Sequence, residues 1–324
     1  MSLLNIHIKN VAGWCKLLLL MAAIIWGFGF VAMKDVVTLV PPAWLLAIRF
    51  MLTGAILTLV FLKKMRLHFN RDHIVFGLIL GVMLFLAFWV QTVGLVYTTP
   101  GKNAFLTASY VVMVPFIYWA VARKRPTVFN ITAAMLCIIG MALVSLLESL
   151  TFGLGEILTI VSAMLFALHM VYVAKWSNRC DVLVLTVYQF IVAGICSIIF
   201  GIFLETPPTL AVLLEPSILL NMGYLIVFAS CLALVFQNFS LKYVPPAQAS
   251  LFLSLEAVFG VIFSVLVYGE ILNLRLVLGF CLIFLAIVVS ETFPLKEVAW
   301  RKKARESFGN PEAKAKAKAK PPDR

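Results

Sequence analysis

The sequence predicts an all-α polytopic membrane protein with ten transmembrane helices, arranged as two inverted five-helix repeats. Its mean hydropathy is +1.06 and only 12% of its residues are charged, whereas soluble proteins carry about a quarter. Its polar residues fall in short clusters between long apolar runs, each close to the roughly 20 residues that cross a bilayer as a helix. A third observation is an internal repeat that sets similar segments of the two halves in register.

The apolar runs predict the helices in chain order. They are continuously apolar rather than alternating, which favours helices over a membrane barrel. Lys9 and Lys16 precede the first run, and no small-residue cleavage site follows it, so we expect a retained signal anchor. The runs occupy 17–33, 43–62, 74–96, 103–122, 128–147, 154–174, 183–204, 217–239, 247–268 and 273–293.

Prolines separate several of the runs. Adjacent prolines occur at 41–42, 207–208 and 245–246, in the links after the first, seventh and eighth runs. Proline cannot continue a helix interior but suits the first turn of a new helix, so these pairs predict a stop and a restart. Pro115 lies well inside the fourth run, where it predicts a kink.

The basic residues predict the orientation of the chain. With the N-terminus inside, the inner segments hold most of the 26 Lys and Arg residues, whereas the outer segments hold only Lys34, Lys102 and Arg275. The positive-inside rule then places both termini in the cytoplasm. This bias accounts for the net charge of +12 without a nucleic-acid partner. The Lys-Ala tail is expected either to contact membrane lipids or to remain solvated without a specific role.

Two halves of the chain resemble each other. Segments 85–102 and 231–248 lie 146 residues apart and share Leu, Ala, Gln, Leu, Tyr and Pro in register. Segments 49–54 and 189–194 lie 140 residues apart and share Phe and Gly. Each repeat has five helices, an odd number, so it ends on the opposite side of the membrane from where it begins. The second repeat must therefore enter the membrane from the opposite side to the first, as in carriers that work by alternating access. The predicted parts are a cytoplasmic N-terminus at 1–16, repeats at 17–147 and 148–293, and a basic tail at 294–324.

Four motifs carry a resemblance to a known family. They are "WGFGFVAMK" (26–34), "PPAWLLAIRF" (41–50), "TTPGKNAFLTASYVVMVP" (98–115) and "LKYVPPAQASLFLSLEAVFGVIFSVLVYGE" (241–270). The chain resembles the EamA-type transporters of the drug/metabolite transporter superfamily. That resemblance implies a ten-helix carrier of the bacterial inner membrane, mostly for export of amino acids or related metabolites. Ala257 stands where the family often has proline, and the Gly269-Glu270 pair has no counterpart in the "ARKRPT" (122–127) that ends the fourth run.

Two charged residues inside the runs are candidates for substrate binding or gating. Arg49 could clamp a substrate carboxylate with two hydrogen bonds, or serve as a structural cation, or extend towards the outer surface. Glu256, near the middle of the ninth run, could carry a proton during transport, or make a neutral interhelical hydrogen bond. The resemblance places a Glu here across different substrates, which favours a structural or gating role.

The remaining candidates are polar or aromatic. Gln91 and Gln237 occupy equivalent places in the halves and suit either a zwitterionic ligand or a cross-bundle hydrogen bond. His169 could shuttle protons or be satisfied by a backbone carbonyl. The aromatic candidates, which could stack on a substrate or merely pack, are Trp26, Phe28, Tyr110 and Tyr188. Gly77 and Gly81 have the small-residue spacing that allows close helix approach.

Enzyme motifs are absent from the sequence. It contains no P-loop, HExxH or GxSxG motif, so we expect no enzyme activity, no direct use of ATP and no cofactor. The six cysteines have neither a disulfide pattern nor a metal-ligand spacing. We expect a small-molecule substrate and allow a homodimer. The alternatives are a drug or nucleotide-type metabolite carrier, a passive channel and a membrane scaffold or enzyme.

Overall fold

The computed structural model describes residues 2–123, 125–145 and 153–269, and within 274–289 it describes 274, 277–279, 281, 282, 284–286, 288 and 289. Every regular element in these residues is helical. Eight helical segments of this part are long and apolar enough to cross a membrane. The prediction of an all-α polytopic membrane protein is therefore confirmed. Ten of the 21 residues of the tenth predicted run and the whole tail lie outside the described residues.

Thirteen α-helices and one π-helical segment build the described fold. Their bounds are α1 Ser2–Val37, α2 Pro42–Leu67, α3 Arg71–Val96, α4 Pro100–Thr107, α5 Tyr110–Ala122, α6 Val128–Ser145, α7 Leu154–Trp176, α8 Val182–Leu204, α9 Leu210–Leu213, α10 Pro216–Tyr224, the π segment Leu225–Leu232, α11 Ala233–Ser240, α12 Pro246–Leu253 and α13 Leu255–Tyr268.

Helix starts follow the sequence signals. Proline occupies the first position of α2, α4, α10 and α12, where its missing N–H costs nothing. Side-chain caps begin other helices: Asn70 accepts from the amide of His73 before α3, and Asp181 accepts from two amides before α8. The proline pairs at 41–42 and 245–246 thus mark a stop and a restart, as predicted.

Two of the predicted helices are interrupted. The fourth run divides at Ala108–Ser109 into α4 and α5, several residues before Pro115, which lies inside α5. The reason is a tightened turn in which the amides of Ser109 and Val111 bond three residues back rather than four. The ninth run divides at Ser254 into α12 and α13. Hydropathy alone cannot show such breaks because the turns are as apolar as the helices.

Close packing between the halves depends on glycines. A Cβ at Gly77 would lie 2.4 Å from Tyr188 Cβ, and one at Gly81 would lie 2.5 Å from Val192 Cβ. These two glycines therefore let α3 approach α8 closely, as their spacing predicts.

The contact of α2 with α8 is reciprocal. A Cβ at Gly54 would lie 3.2 Å from Ile191 Cγ1, and a Cβ at Gly194 would lie 2.6 Å from Met51 Sδ. Gly194 and Ile191 follow Gly54 and Met51 by the same 140 residues. The glycine of each helix thus packs against the residue that lies three positions before the glycine of the other helix.

The broken helices also correspond. α4 and α12 each have eight residues, begin with proline and start 146 residues apart. α5 and α13 both end on a residue in the left-handed conformation, Arg123 with φ 55° and Gly269 with φ 67°. These two caps are also 146 residues apart. Arg123 is therefore the backbone counterpart of Gly269, although arginine and glycine are different residue types and do not indicate this equivalence.

Candidate functional site

A central cavity lies between the helices of the two halves. It contains about 550 Å³ of space free of protein atoms, including space open to solvent. The sequence-predicted residues that line it are Trp26, Arg49, Gln91, Tyr110, Gln237 and Glu256. The further lining residues are Gly29, Phe30, Met33, Phe88, Thr107, Phe166, Met170, Leu225, Ala229 and Leu234.

Arg49 is the cation of the cavity. It is 2% exposed, and its Nε donates to Ser230 Oγ at 2.6 Å. Its guanidinium carbon lies 4.8 Å from the centre of the Phe88 ring, a cation–π geometry. Within the described part of the chain no carboxylate forms an ion pair with it. The guanidinium is thus held in position while its charge remains available to an anionic group.

Glu256 and Tyr110 form the second polar group of the cavity. They are each 3% exposed and lie close enough to interact electrostatically. Among the described residues neither the Tyr110 hydroxyl nor Glu256 Oε1 has a hydrogen-bond partner. Glu256 stands in the first turn of α13, where the helix dipole favours a negative charge. Two buried polar atoms without partners are suited to binding a polar ligand.

Hydrogen bonds orient the neutral polar lining. Gln91 Nε2 donates to Thr107 Oγ1 at 3.0 Å, and Gln237 Nε2 donates to the neighbouring Asn238 Oδ1 at 3.3 Å. Trp26 Nε1 donates to the carbonyl of Ala229 at 2.8 Å, which fixes the indole plane against the π segment. Such segments occur often at functional sites.

Aromatic rings form much of the remaining wall. Phe88 packs edge-to-face on Phe166 with ring centres 4.9 Å apart, and Phe30 lines the same cavity. Sequence reasoning did not select Phe88, Phe166 or Thr107. Phe88 lies one helical turn before Gln91 on α3, and that spacing is the signal that could have found it.

The structure places three predicted residues away from the cavity lining. Phe28 packs against Tyr224 and Phe263 with ring centres 4.9 and 5.4 Å away. Tyr188 covers Gly77 at the α3–α8 contact. His169 is buried, with its Nε2 2.7 Å from Gln189 Oε1.

Polar contacts close one end of the bundle. Asp35 on α1 accepts hydrogen bonds from Tyr268 on α13 and, at 3.2 Å, from Asn221 on α10. Lys34 donates to the carbonyls of Leu95 and Thr98 at the end of α3. Together these contacts join α1 to three other helices on that side.

An ion pair joins helices at the opposite end. Lys64 Nζ at the end of α2 lies 3.2 Å from Asp181 Oδ2 before α8. Burial opposes ionisation of Asp181, but hydrogen bonds from Lys64 and from the amides of Val184 and Leu183 outweigh it, so the pKa of Asp181 lies below its ordinary value. The amide of Asp181 also donates to His73 Nε2 at 2.9 Å.

Comparisons with known proteins cover most of the chain. The model of a family described as the EamA-like transporter family matches residues 13–146 and again 153–292. A solved crystal structure aligns with a TM-score of 0.70, covering 86% of this chain and 96% of that one. Its sequence identity is 15%, so it shows likeness of fold alone.

Three curated relatives are described as uncharacterized transporters. One from Archaeoglobus fulgidus is 29% identical over 271 residues, which cover 84% of this chain and 83% of the relative. YoaV from Bacillus subtilis is 22% identical over 85% of this chain and 96% of its own length. YvbV from the same organism is 26% identical over 65% of this chain and 73% of its own length.

Proposed function

The chain belongs to the EamA-like transporter family, and from this premise we propose that it is a secondary carrier that exports amino acids or related small metabolites across a bacterial inner membrane. The observation that carries the proposal is the central cavity, in which a buried cation and a buried carboxyl group lie among aromatic rings. Buried charges are costly unless they are paired. A ligand that supplies both partners would offset that cost.

The chemistry of the lining supports a zwitterionic substrate. The planar guanidinium of Arg49 suits a carboxylate, and Glu256 with the Tyr110 hydroxyl suits an ammonium group. Trp26 and Phe88 offer aromatic faces to the rest of the molecule. An α-amino acid combines these features in one small molecule. The same rings also suit drugs or nucleotide-type metabolites, which are the alternative substrates to test.

Alternating access is the proposed mechanism. Reciprocal contacts support two halves related by a pseudo-twofold axis, since Gly54 meets Ile191 as Gly194 meets Met51. A further pair of contacts has the same relation. A Cβ at Gly94 would lie 3.1 Å from the carbonyl oxygen of Gly155, and at the corresponding place Ser240 Oγ donates to the carbonyl of Cys15 at 3.1 Å.

Five helices in each half would give ten helices in all and repeats of opposite orientation, with both termini in the cytoplasm. The links around Thr99 and Pro245 would then lie on opposite faces of the membrane. Labelling single cysteines at these two positions in intact cells tests the orientation. Equal labelling of both from the outside would contradict it.

Transport itself is tested in two steps. A thermal-shift screen of the purified protein against a metabolite library first identifies a ligand, because binding to the folded state raises its apparent stability. Counterflow of that ligand is then measured in proteoliposomes. A carrier should show saturable uptake that is stimulated by the same ligand inside, and Arg49→Ala and Glu256→Gln should impair it. Linear flux without counterflow would indicate a channel, and absence of any flux would favour a scaffold.

A further inference from the structure

Arg49 and Gln189 occupy equivalent positions in the two halves. They follow the first residues of α2 and α8 by the same number of positions, and they lie 140 residues apart. One turn further along, the reciprocal contacts of Gly54 and Gly194 relate the two helices by the same spacing. Gly29 and His169 are separated by 140 residues as well.

The two equivalent pairs have different surroundings in this structure. Gly29 and Arg49 both line the cavity, whereas His169 and Gln189 lie outside its lining and contact each other at 2.7 Å. Gln189 is fully buried, and its Nε2 has no hydrogen-bond partner within the described residues. A buried amide nitrogen without an acceptor is unfavourable, and native proteins rarely keep one without a functional reason.

We infer that Gln189 and His169 form a second polar contact for the substrate, which lines the cavity when it opens to the opposite face of the membrane. The inference rests on the proposed function. In a pseudo-twofold carrier that changes state, each half adopts the arrangement that the other half had, so equivalent residues exchange their surroundings. In that exchange His169 and Gln189 take the places that Gly29 and Arg49 hold now. The unpaired Nε2 of Gln189 then finds its acceptor in the substrate.

The chemistry of this contact differs from that of Arg49. An amide and a neutral imidazole donate hydrogen bonds to a carboxylate or hydroxyl oxygen without adding a formal charge. Charge-assisted hydrogen bonds are about twice as strong as neutral ones. The substrate group held by the Arg49 guanidinium in one state would therefore be held more weakly by Gln189 and His169 in the other.

Cysteine accessibility in the full-length protein tests the inference. Single cysteines replace Arg49, Gln189 or His169 in a variant without its native cysteines, and a charged, membrane-impermeant methanethiosulfonate reagent is added from one face at a time. Right-side-out and inside-out membrane vesicles supply the two faces. Ala193→Cys is the matched control, because Ala193 is fully buried one turn from Gln189 and does not line the cavity. Labelling in denaturant and a single gel-filtration peak establish that each thiol is present and each variant is folded.

The inference expects R49C to be labelled from one face, Q189C and H169C from the other, and A193C from neither. Labelling of R49C alone would overturn the inference and leave the proposed carrier intact. Labelling of R49C and Q189C from both faces would also overturn the inference, because both residues would then line the cavity in both states, whereas the counterflow measurement tests the carrier itself. If Q189C fails to fold, the result with H169C decides.

Discussion

Tyr110 and Glu256 line the same cavity and lie close together, although 146 residues separate them in the chain. Each stands just after the break in its helix, Tyr110 after Ala108–Ser109 and Glu256 after Ser254. The two breaks thus bring a hydroxyl and a carboxyl group from equivalent positions to the middle of the bundle. The Tyr110 hydroxyl and Glu256 Oε1 have no hydrogen-bond partner among the described residues, so both atoms are expected to act on a ligand.

Replacing Glu256 with Gln should weaken ligand binding without unfolding the protein. The amide keeps the size of the side chain but cannot carry a negative charge. A hydrogen bond to a charged group contributes about 1.5–3 kcal/mol, which corresponds to binding weaker by roughly 10- to 100-fold. Isothermal titration of the purified variant with the ligand from the thermal-shift screen measures the change. An unchanged affinity would remove Glu256 from the binding site.

Replacing Tyr110 with Phe should have opposite effects on stability and on binding. Leaving a buried hydroxyl unpaired costs about 1–3 kcal/mol, so its removal should raise the melting temperature of the ligand-free protein. The same change removes a donor that the ligand needs, and the ligand-induced rise in melting temperature should shrink. Tyr97→Phe is the control, because the Tyr97 side chain is 60% exposed and does not line the cavity. A loss of stability in Tyr110→Phe would show that its hydroxyl has a structural partner.

The sequence predicted where the helices lie in the chain better than it predicted which face of each helix lines the cavity. Hydropathy located the membrane-length segments because each is a long apolar run. It could not orient them, since a helix that is apolar all round has no amphipathic period. Tyr188 and Gln91 therefore looked alike as candidates, yet Gln91 lines the cavity and Tyr188 packs on Gly77.

The polar candidates were easier to place than the aromatic ones. Arg49 and Glu256 are costly in a membrane interior unless they face a cavity or a partner. That energetic cost predicted that both side chains face the interior of the bundle. Phe28 carries no such cost, and it packs among other rings. The left-handed conformation of Arg123 was also beyond sequence reasoning, because arginine is not a residue type that signals this backbone geometry.

Replacing Gly77 with Ala should destabilise the contact of α3 with α8. The added Cβ would lie 2.4 Å from Tyr188 Cβ, so the helices must separate. Such overpacking costs typically about 1–3 kcal/mol, which exceeds the gain of about 1 kcal/mol in helix propensity. Gly223→Ala is the matched control, because its Cβ would meet nothing within 4 Å. Thermal unfolding in detergent should show a lower midpoint for Gly77→Ala and an equal or higher one for Gly223→Ala.

Replacing Arg123 with Gly should stabilise the protein. A non-glycine residue in the left-handed region carries about 1–2 kcal/mol of strain, which glycine does not. The reverse change at the equivalent cap, Gly269→Ala, should destabilise by a similar amount. Arg123→Lys keeps both the charge and the strain, and its melting temperature should match that of the unchanged protein. Equal midpoints for Arg123→Gly and Arg123→Lys would show that the cap is not strained.

Replacing Asp181 with Asn should reduce stability near neutral pH but not in acid. The pKa of Asp181 is lower in the folded protein, so its ionised form contributes stability that is present above the unfolded pKa of about 3.9 and is lost as the pH falls through the folded value. The difference in melting temperature between the two proteins should therefore persist from pH 7 to about 5 and close below about pH 4. Asparagine still caps α8, so the difference reports the pair with Lys64, which is expected to contribute at most about 1 kcal/mol because it is partly exposed. Lys64→Met should abolish the effect of Asp181→Asn, and an undiminished effect in that background would assign the stability to the cap instead.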